Sequence, residues 1–419
     1  MEEWKEYKLG DVAIPVRDRI ETSYLDSSSY ISTENMLPNK AGITLSSGIP
    51  SGNAVKFKND DILISNIRPY FKKIWKADKV GGCSADVICL RASEKVEPLY
   101  LYFLLSQDLF FDYVMQGSKG TKMPRGDKNQ IMQWPVSIPN KNLQNKIASI
   151  LSSLDDKIAV NKKICENLEA QAQALFKHWF VDFAPFKDGN FCANREQNET
   201  CFNSAEVQPK ITGKACKFVE SELGLIPLSL VCEQITDGVH NSVKDEPNSS
   251  YMLLSCKNIV GGVLSKNNYR SISKNTFDSL RLRTKLAKGD ILISSVGTIG
   301  EIAIVEEDPL NYEFQRSVAI VKPKEKIGTY FLYNALLASK TRLQHAAHGA
   351  VQQCLFLGDL KKFKVNCYDI EKAFLYNETV KPLFEEIAKL HQESDRLATL
   401  RDTLLPKLMS GQIKLNEYE

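Results

Sequence analysis

Two stretches of the chain carry apolar residues at alternating steps of four and three, which is the heptad pattern of paired helices. The first stretch runs from Ile147 to Trp179, and the second from Tyr376 to Leu408. The core-like positions of these two seams are Leu151, Leu154, Ile158, Leu168, Leu175, Leu383, Ile387, Leu390, Leu397 and Leu404. The apolar residues at positions 154, 158, 168 and 175 recur 229 positions later. The pattern therefore predicts two long helices that are copies of one another.

The length of these helices decides what can cover their apolar stripes. A helix from about Asn142 to Phe183 is about 60 Å long, which exceeds the reach of a small globule. We therefore expect the two helices to pair, and packing of each stripe on a domain surface is the alternative. Asn161 interrupts the first seam, where it either fixes the helix register as a buried polar group or faces water. Pro382 and Pro406 predict an interrupted second helix, with a short helix before Pro382 and a last turn that begins at Pro406.

The segments before the two helices also repeat. Three segments of the first half resemble three segments of the second half, in the same order along the chain. Gly289–Ser295 resembles Asp60–Asn66, Leu254–Ile259 resembles Ile31–Met36, and Tyr330–Leu336 resembles Tyr100–Ser106. Their common order and similar offset indicate a duplicated unit. Short β-branched runs predict strands at 61–66, 88–90, 290–295 and 317–321, and each unit has one predicted short helix, around 98–115 and 328–346.

These patterns predict an α+β fold. Two similar domains of mixed strand and helix would be joined by two long antiparallel helices that form a coiled-coil strut with pseudo-two-fold symmetry. We assign residues 1–140 and 222–369 to the two domains, 141–184 and 370–419 to the helices, and 185–221 to a linker without periodicity. Two unlike globules at a fixed separation match half-sites on duplex DNA about one helical turn, roughly 34 Å, apart.

Composition limits the class of protein. Of the 419 residues, 43% are hydrophobic and 25% are charged, which is typical of a globular protein. No apolar run is long enough to span a membrane and no signal peptide precedes the first unit, so we expect a cytoplasmic protein without a membrane partner. The ten cysteines and five histidines show no metal-site spacing, so we expect reduced cysteines and no metal. The net charge of +3 is weakly basic, so any DNA contacts must be local.

Motifs of nucleic-acid enzymes do not occur. The chain has no Gly-x-x-x-x-Gly-Lys-Ser/Thr loop for a nucleoside triphosphate. The string Asn66–Tyr70 lacks the adjacent prolines of an adenine methyltransferase motif, and Gly297–Gly300 is too short for a cofactor fingerprint. Two alternatives to a DNA-recognition protein stay open, namely a stand-alone nucleic-acid-modifying enzyme with unrecognised motifs and a coiled-coil scaffold without a DNA role.

Several motifs resemble those of one family. The segment Gln144–Ile158, followed by Leu175–Phe183, resembles the central conserved region of type I restriction enzyme specificity subunits. Leu400–Gly411 resembles the distal conserved region of that family, and Glu222–Pro227 resembles the opening of its second target-recognition domain. The resemblance covers nearly the whole chain. It implies a non-catalytic DNA-specificity subunit of a type I restriction–modification complex, with two target-recognition domains that each read one part of a split site in double-stranded DNA.

The resemblance also implies partners and their cofactors. Two methylation subunits would dock on the long helices and use S-adenosylmethionine to methylate adenine, and motor-nuclease subunits that use ATP would join them. No cofactor is expected on this chain itself. The family's target-recognition domains vary widely in sequence, so individual base contacts must be sought among the residues of this chain.

Two loops are candidates for DNA contact. Loop 1 (residues 117–128) combines glycines with the cations Lys119, Lys122, Arg125 and Lys128, which suit phosphate binding. Loop 2 (residues 345–353) has His348, Gln352 and Gln353 instead, and glutamine can pair with the N6 and N7 edge of adenine. A solvated turn before the last strand of each unit is the structural alternative.

Two further groups of cations are candidates. Arg68, Lys72 and Lys73 follow the repeated strand, where an arginine can fork onto a guanine, clamp a phosphate or form a surface salt bridge. Arg281, Arg283 and Lys285 alternate along the chain, which predicts that they share one face of a strand. That face would follow the phosphates of the DNA backbone.

Overall fold

The computed structural model describes residues 4–120, 122–182, 225–349, 353–367 and 369–415. The described residues form two compact units, of which unit 1 lies within Met1–Val160 and Glu393–Glu419, and unit 2 within Asn161–Gln392. Each unit contains one globule and part of both long helices. The predicted domain bounds stay a prediction, and the predicted linker 185–221 lies outside the described residues.

Short strands make up the sheets of unit 1. They are β1 (Lys5–Lys8), β2 (Ala13–Pro15), β3 (Arg19–Glu21), β4 (Tyr30–Ile31), β5 (Asn53–Phe57), β6 (Ile62–Ser65), β7 (Ile74–Lys76), β8 (Gly81–Cys83), β9 (Val87–Ala92) and β10 (Pro135–Ile138). An antiparallel sheet has the order β2-β9-β6-β7, a mixed sheet has the order β3-β5-β8-β4, and β1 pairs with β10. Every residue of β6 is buried, in keeping with its three consecutive apolar residues, Ile62 to Ile64.

Helices cover the sheets of unit 1. They are α1 (Leu9–Val12), α2 (Pro98–Leu105), α3 (Asp108–Gln116), α4 (Lys128–Ile131) and the long α5 (Lys141–Phe180), with 3₁₀ turns at Thr22–Tyr24 and Pro69–Phe71. The single short helix predicted around 98–115 is wrong, because Gln107 has an extended backbone between α2 and α3. This break changes the direction of the chain, so that α3 buries Phe110 and Phe111 in the core.

Unit 2 repeats the strand arrangement of unit 1. Its strands are β11 (Leu225–Pro227), β12 (Cys232–Asp237), β13 (Tyr251–Leu254), β14 (Ile259–Val260), β15 (Val263–Leu264), β16 (Arg270–Ile272), β17 (Ile291–Ser294), β18 (Ile302–Ile304), β19 (Tyr312–Phe314), β20 (Val318–Pro323) and β21 (Lys364–Asn366). The order β12-β20-β17-β18 matches β2-β9-β6-β7, the pair β11-β21 matches β1-β10, and the parallel pair β13-β19 matches β4-β8. The shared order confirms the duplication that the sequence predicts.

The helices of unit 2 follow the same order as those of unit 1, with one additional helix at Lys274–Thr284. They are α6 (Leu228–Val231), α7 (Lys274–Thr284), α8 (Thr329–Ala338), α9 (Lys340–His345), α10 (Leu357–Lys362) and the long α11 (Ile370–Met409), with a 3₁₀ turn at Cys256–Asn258. The single helix predicted around 328–346 is again two helices, which meet at Ser339. Asp369 begins α11, because its Oδ1 accepts the N–H groups of Glu371 and Lys372 at 2.9 and 3.1 Å.

The predicted interruption of the second long helix is wrong, since α11 runs through both prolines without a break. Pro382 cannot donate a backbone hydrogen bond, but its side chain is exposed to solvent. On the opposite face Tyr376, Val380 and Phe384 are buried in the core of unit 2. Tertiary packing therefore outweighs the low helix propensity of proline at this position.

The two long helices pair in opposite directions within unit 1. Nη1 of Arg401 lies 2.6 Å from Oδ1 of Asp155, and Nζ of Lys157 lies 3.4 Å from a carboxylate oxygen of Glu393. As the residue number rises along α5, it falls along α11, so the helices are antiparallel. Leu151 belongs to the same core cluster as the C-terminal part of α11.

The same antiparallel pairing occurs within unit 2. The hydroxyl of Tyr376 donates to the carbonyl of Ala172 at 2.7 Å, and Sγ of Cys165 lies 3.9 Å from the carbonyl oxygen of Ile387. Residues of both helices and of the globule share one core cluster. The predicted α+β fold, with two similar domains and two long antiparallel helices, is confirmed.

The seam positions lie at the inner face of this pairing. Asn161 is buried at 0% exposure, which selects the buried alternative over the water-exposed one. Among the residues that the structure describes, Cys83, Cys89, Cys165, Cys232, Cys256 and Cys367 are free cysteines. Along the part of the chain that the structure describes, none of the helices is long and apolar enough to cross a bilayer. Leu151, Ile387 and Leu390 are buried, and Leu154, Ile158, Leu168, Leu175, Leu383, Leu397 and Leu404 are half-buried.

Candidate nucleic-acid interface

Loop 1 and loop 2 are closed at the same position of the two units. In unit 1, Lys119 and Arg125 exchange backbone hydrogen bonds at 2.9 and 3.0 Å, and Arg125 bridges to the segment that follows β6. In unit 2, His348 and Cys354 exchange the corresponding bonds at 2.9 and 2.8 Å, and Cys354 bridges to the segment that follows β17. Each of these unit 2 residues lies 229 positions after its unit 1 counterpart. The duplicated fold thus presents two loops with different side chains beside the ends of equivalent strands, β6 in unit 1 and β17 in unit 2.

Loop 1 carries its cations at the surface, and carboxylates hold Lys119 and Arg125. Nζ of Lys119 lies 3.1 Å from Oδ2 of Asp127, and Nη2 of Arg125 lies 3.3 Å from Oδ1 of Asp86. The hydrogen bond from Lys119 and backbone N–H donors lower the pKa of Asp127. The side chains of Lys119 and Arg125 remain 84% and 56% exposed, and Lys122 is exposed as well. Exposed ion pairs contribute little stability, so a DNA phosphate can replace either carboxylate at low cost.

The end of loop 1 is anchored to the unit. Asp127 caps α4, since its Oδ1 accepts backbone N–H groups of the first turn at 2.9 and 3.3 Å. Nζ of Lys128 donates to the carbonyl of Ala85 at 3.4 Å. A Cβ added at Gly126 would lie 2.7 Å from a methyl carbon of Val114, so a larger residue does not fit there. These contacts fix the base of the loop while its cations reach solvent.

The three candidate cations that follow β6 contact different parts of unit 1. Nζ of Lys72 lies 2.9 Å from Oδ1 of Asp108, and Nζ of Lys73 donates to the carbonyl of Thr33 at 2.6 Å. Burial lowers the pKa of Lys73. The backbone N–H of Arg68 donates to the carbonyl of Pro124 in loop 1 at 2.8 Å. Of the three candidates, Arg68 is therefore the one that a hydrogen bond joins to loop 1.

Loop 2 has a different chemistry at the equivalent place. Nε2 of His348 lies 3.7 Å from Oδ2 of Asp359, and the His348 side chain is 66% exposed. Gln353 is exposed next to the closing residue Cys354, whereas Gln352 lies outside the described residues. The described part of loop 2 therefore offers an imidazole and an amide where loop 1 offers ammonium and guanidinium groups.

The strand predicted for Arg281, Arg283 and Lys285 is wrong, because they lie on α7 and at its left-handed C-terminal residue. Nε of Arg281 donates to Oε1 of the buried Glu313, so this cation has a carboxylate partner inside unit 2. Nη2 of Arg283 donates to the carbonyl of Asp237 at 2.8 Å. Among the described residues no hydrogen bond or ion pair joins these three residues to loop 2, and their partners inside unit 2 give Arg281 and Arg283 structural roles.

Sequence reasoning missed the groups that organise loop 1. Asp86 holds Arg125 from 39 residues away, and only the fold brings the two together. Asp127 offered a local signal, since aspartate is a typical N-cap residue at the start of a helical turn. Tyr70 and Phe71, two and three residues after Arg68, are 47% and 37% exposed, and their ring centroids lie 4.7 Å apart. The candidate interface of unit 1 thus combines cations with exposed aromatic rings.

Comparison with known proteins finds one matching family and several similar sequences. The sequence matches the family model for the type I restriction modification DNA specificity domain over residues 1–170 and 248–371. It is similar to the specificity subunit of type I restriction enzyme HindI from Haemophilus influenzae, with 25% identity over 99% of this chain and 100% of that protein. It is also similar to the MjaIX specificity subunit from Methanocaldococcus jannaschii, with 26% identity over 76% of this chain and 69% of that protein.

A solved structure shares the fold. The S subunit of a type I restriction–modification system from M. genitalium matches with a TM-score of 0.51 and 15% sequence identity. The match covers 97% of this chain and 96% of that one. At this identity the likeness concerns the fold, and the residues of the two loops must be judged from this chain alone.

Proposed function

Because the chain belongs to the type I restriction–modification DNA specificity family, we propose that it recognises a bipartite site in double-stranded DNA on behalf of methylation subunits. One observation carries the proposal. The same loop is built twice, beside the end of the same strand, and presents different side chains in the two units. A duplicated scaffold with divergent surface loops suits the reading of two unlike half-sites.

The chemistry of the loops supports unlike half-sites. Exposed lysine and arginine in loop 1 suit phosphates, whereas glutamine in loop 2 suits adenine. The weak net charge of +3 is consistent with DNA contacts that are confined to such local patches. Affinity for the rest of the duplex would then come from the partner subunits.

The proposal gives the long helices a docking role. Two methylation subunits would bind them and use S-adenosylmethionine, motor-nuclease subunits would use ATP, and this chain would perform no catalysis. Apolar residues that stay exposed on the two helices, Ile150, Val160, Ile164 and Leu400, support a further protein partner there. The assembled complex would work in the cytoplasm.

An exchange of domains tests the proposed function. Residues 1–140 are replaced by the corresponding segment of another such subunit, and the chain is reconstituted with its methylation subunits. Mapping of methylated adenines should then show a change in one half of the recognised site only. Changes in both halves, or transfer of methyl groups by the isolated chain, would contradict a modular, non-catalytic reader.

Removal of the loop 1 cations should weaken DNA binding by the complex without changing its sequence preference. The triple variant with alanine at Lys119, Lys122 and Arg125 loses about three phosphate contacts, so the slope of log K against log salt should fall by about three. Fluorescence anisotropy of labelled duplexes across a salt series measures this slope. A matched variant with alanine at the exposed Lys5, Lys56 and Lys58 should keep it. Equal losses in both variants would mean that the effect is one of overall charge.

A further inference from the structure

The backbone of Arg68 has an unusual conformation for an arginine. Its φ and ψ are 50° and 62°, in the left-handed region that favours glycine. The residue 229 positions later is Gly297, with a φ of 77°. Both units therefore need a left-handed residue after the repeated strand, and unit 1 accepts backbone strain in order to place an arginine there.

Hydrogen bonds on both sides hold this conformation. The N–H of Arg68 donates to the carbonyl of Pro124 in loop 1 at 2.8 Å, and its own carbonyl accepts the N–H of Phe71 at 3.0 Å. The start of the Arg68 side chain is thus fixed relative to loop 1. An arginine that is fixed at its backbone loses less entropy on binding than one on a free loop.

The guanidinium of Arg68 lacks the partners that its neighbours have. Lys72 and Arg125 are held by carboxylates, but among the residues that the structure describes no ion pair includes Arg68. Its Nε is buried without an acceptor, and Oδ1 of Asn66, at the end of the same strand, is buried without a donor. Buried polar atoms without partners are rare in folded proteins, and a ligand or an ordered water can complete their bonding.

The chemistry that would satisfy this group is a pair of adjacent acceptors. Nucleic acid offers such pairs on the O6 and N7 edge of guanine and on the phosphate group. The exposed cations of loop 1 already suit phosphates, whereas Arg68 is half-buried and fixed at its backbone, which suits a specific base edge.

We infer that Arg68 reads a guanine in the half-site recognised by unit 1, and that unit 2 has no arginine reader at the equivalent position because Gly297 stands there. The inference rests on the proposed function. It assigns one base contact to one residue. It also predicts that the two half-sites differ at the base pair that lies opposite the end of the repeated strand.

The test compares base preference in reconstituted complexes that carry Arg68→Gly or Arg68→Lys. DNA containing randomised half-sites is methylated with S-adenosylmethionine, and base frequencies at each position of the methylated products are counted. Both variants should lose about 5- to 150-fold of the discrimination at one G·C pair, in the half-site that the exchange of residues 1–140 assigns to unit 1. The other positions should keep their preference. Lys122→Ala is the control, and it should lower methylation evenly across sequences.

Three outcomes overturn the inference. One is unchanged base preference in Arg68→Gly, another is an even loss over all positions, as expected of a phosphate clamp, and the third is full selectivity in Arg68→Lys, which keeps the charge but not the fork. Arg68→Gly should fold, since the second unit has glycine at this place, and thermal unfolding checks this. A wild-type complex without any sequence preference would instead refute the proposed function itself.

Discussion

Replacement of Arg281 with alanine is expected to destabilise unit 2 by about 3–5 kcal/mol, because it leaves a buried carboxylate without its partner. Nε of Arg281 donates to Oε1 of Glu313, and Nη2 donates to the carbonyl of Tyr312 at 2.9 Å. The side chain of Glu313 is 0% exposed. Its remaining donor is the hydroxyl of Thr284, at 3.1 and 3.0 Å from the two carboxylate oxygens. One neutral donor does not compensate a buried charge.

The destabilisation should depend on pH with a definite sign. Burial raises the pKa of Glu313 even with Arg281 in place, and loss of the guanidinium should raise it further. A carboxyl group whose pKa is higher in the folded state contributes stability at low pH and loses it as the pH rises above its unfolded value, near about 4.3. The cost of Arg281→Ala should therefore be larger at about pH 8 than at about pH 5.

Urea unfolding, followed by hydrogen exchange in peptides of α7 and β19, measures this loss for unit 2 separately from unit 1. The double variant Arg281→Ala with Glu313→Gln removes the stranded charge and should recover most of the stability. Peptides of β6 and β9 in unit 1 serve as an internal control and should not change. An equal loss in the single and double variants would show that packing of the arginine, and not the buried charge, is responsible.

Most of the features that could be predicted from the sequence depend on the internal repeat. An offset of 229 predicted equivalent strands at β6 and β17, and the same offset relates the closing residues of the two loops. The heptad steps predicted long helices that pair, because no other element could cover such stripes. These features depend on periodicity and duplication, which are visible in a sequence without knowledge of tertiary contacts.

Elements whose structure depends on tertiary contacts could not be predicted from the sequence. The alternation of Arg281, Arg283 and Lys285 is typical of a strand, but Ser273 accepts the N–H of Thr276 and begins a helix that contains both arginines. That Ser-x-x-Thr signal was available and competed with a short period-two pattern. The pairing of Arg281 with Glu313 bridges 32 residues, and no local rule predicts it.

Some candidate DNA contacts could likewise be predicted from the sequence, and others appear only in the structure. The cations of loop 1 were found from charge and glycine content, both of which are local properties. The left-handed backbone of Arg68 and its missing acceptors appear only in the structure, because they depend on how loop 1 packs beside β6. A comparison of Arg68 with Gly297 across the repeat would have been the one sequence signal for an unusual backbone.

Tyr376→Ala is expected to separate the paired helices of unit 2, at a cost of about 3–5 kcal/mol. The Tyr376 ring is fully buried, and its centroid lies 5.7, 5.8 and 5.5 Å from those of Phe176, Trp179 and Phe180 on α5. Alanine would leave a cavity among these rings and remove the hydroxyl that donates to the carbonyl of Ala172. Hydrogen exchange should rise in peptides covering 165–180, while peptides covering 141–155 stay protected.

Tyr376→Phe is the matched control for this experiment. It keeps the ring and loses only the hydrogen bond, so it should cost about 0.5–1.5 kcal/mol. Methylation by the reconstituted complex should then survive Tyr376→Phe and fall in Tyr376→Ala, since the proposed docking surface needs paired helices. If both variants lost the same stability, the hydroxyl would be the main contribution. If Tyr376→Ala left the exchange of 165–180 unchanged, α5 would be held without α11, and the paired helices would not be the element that supports unit 2.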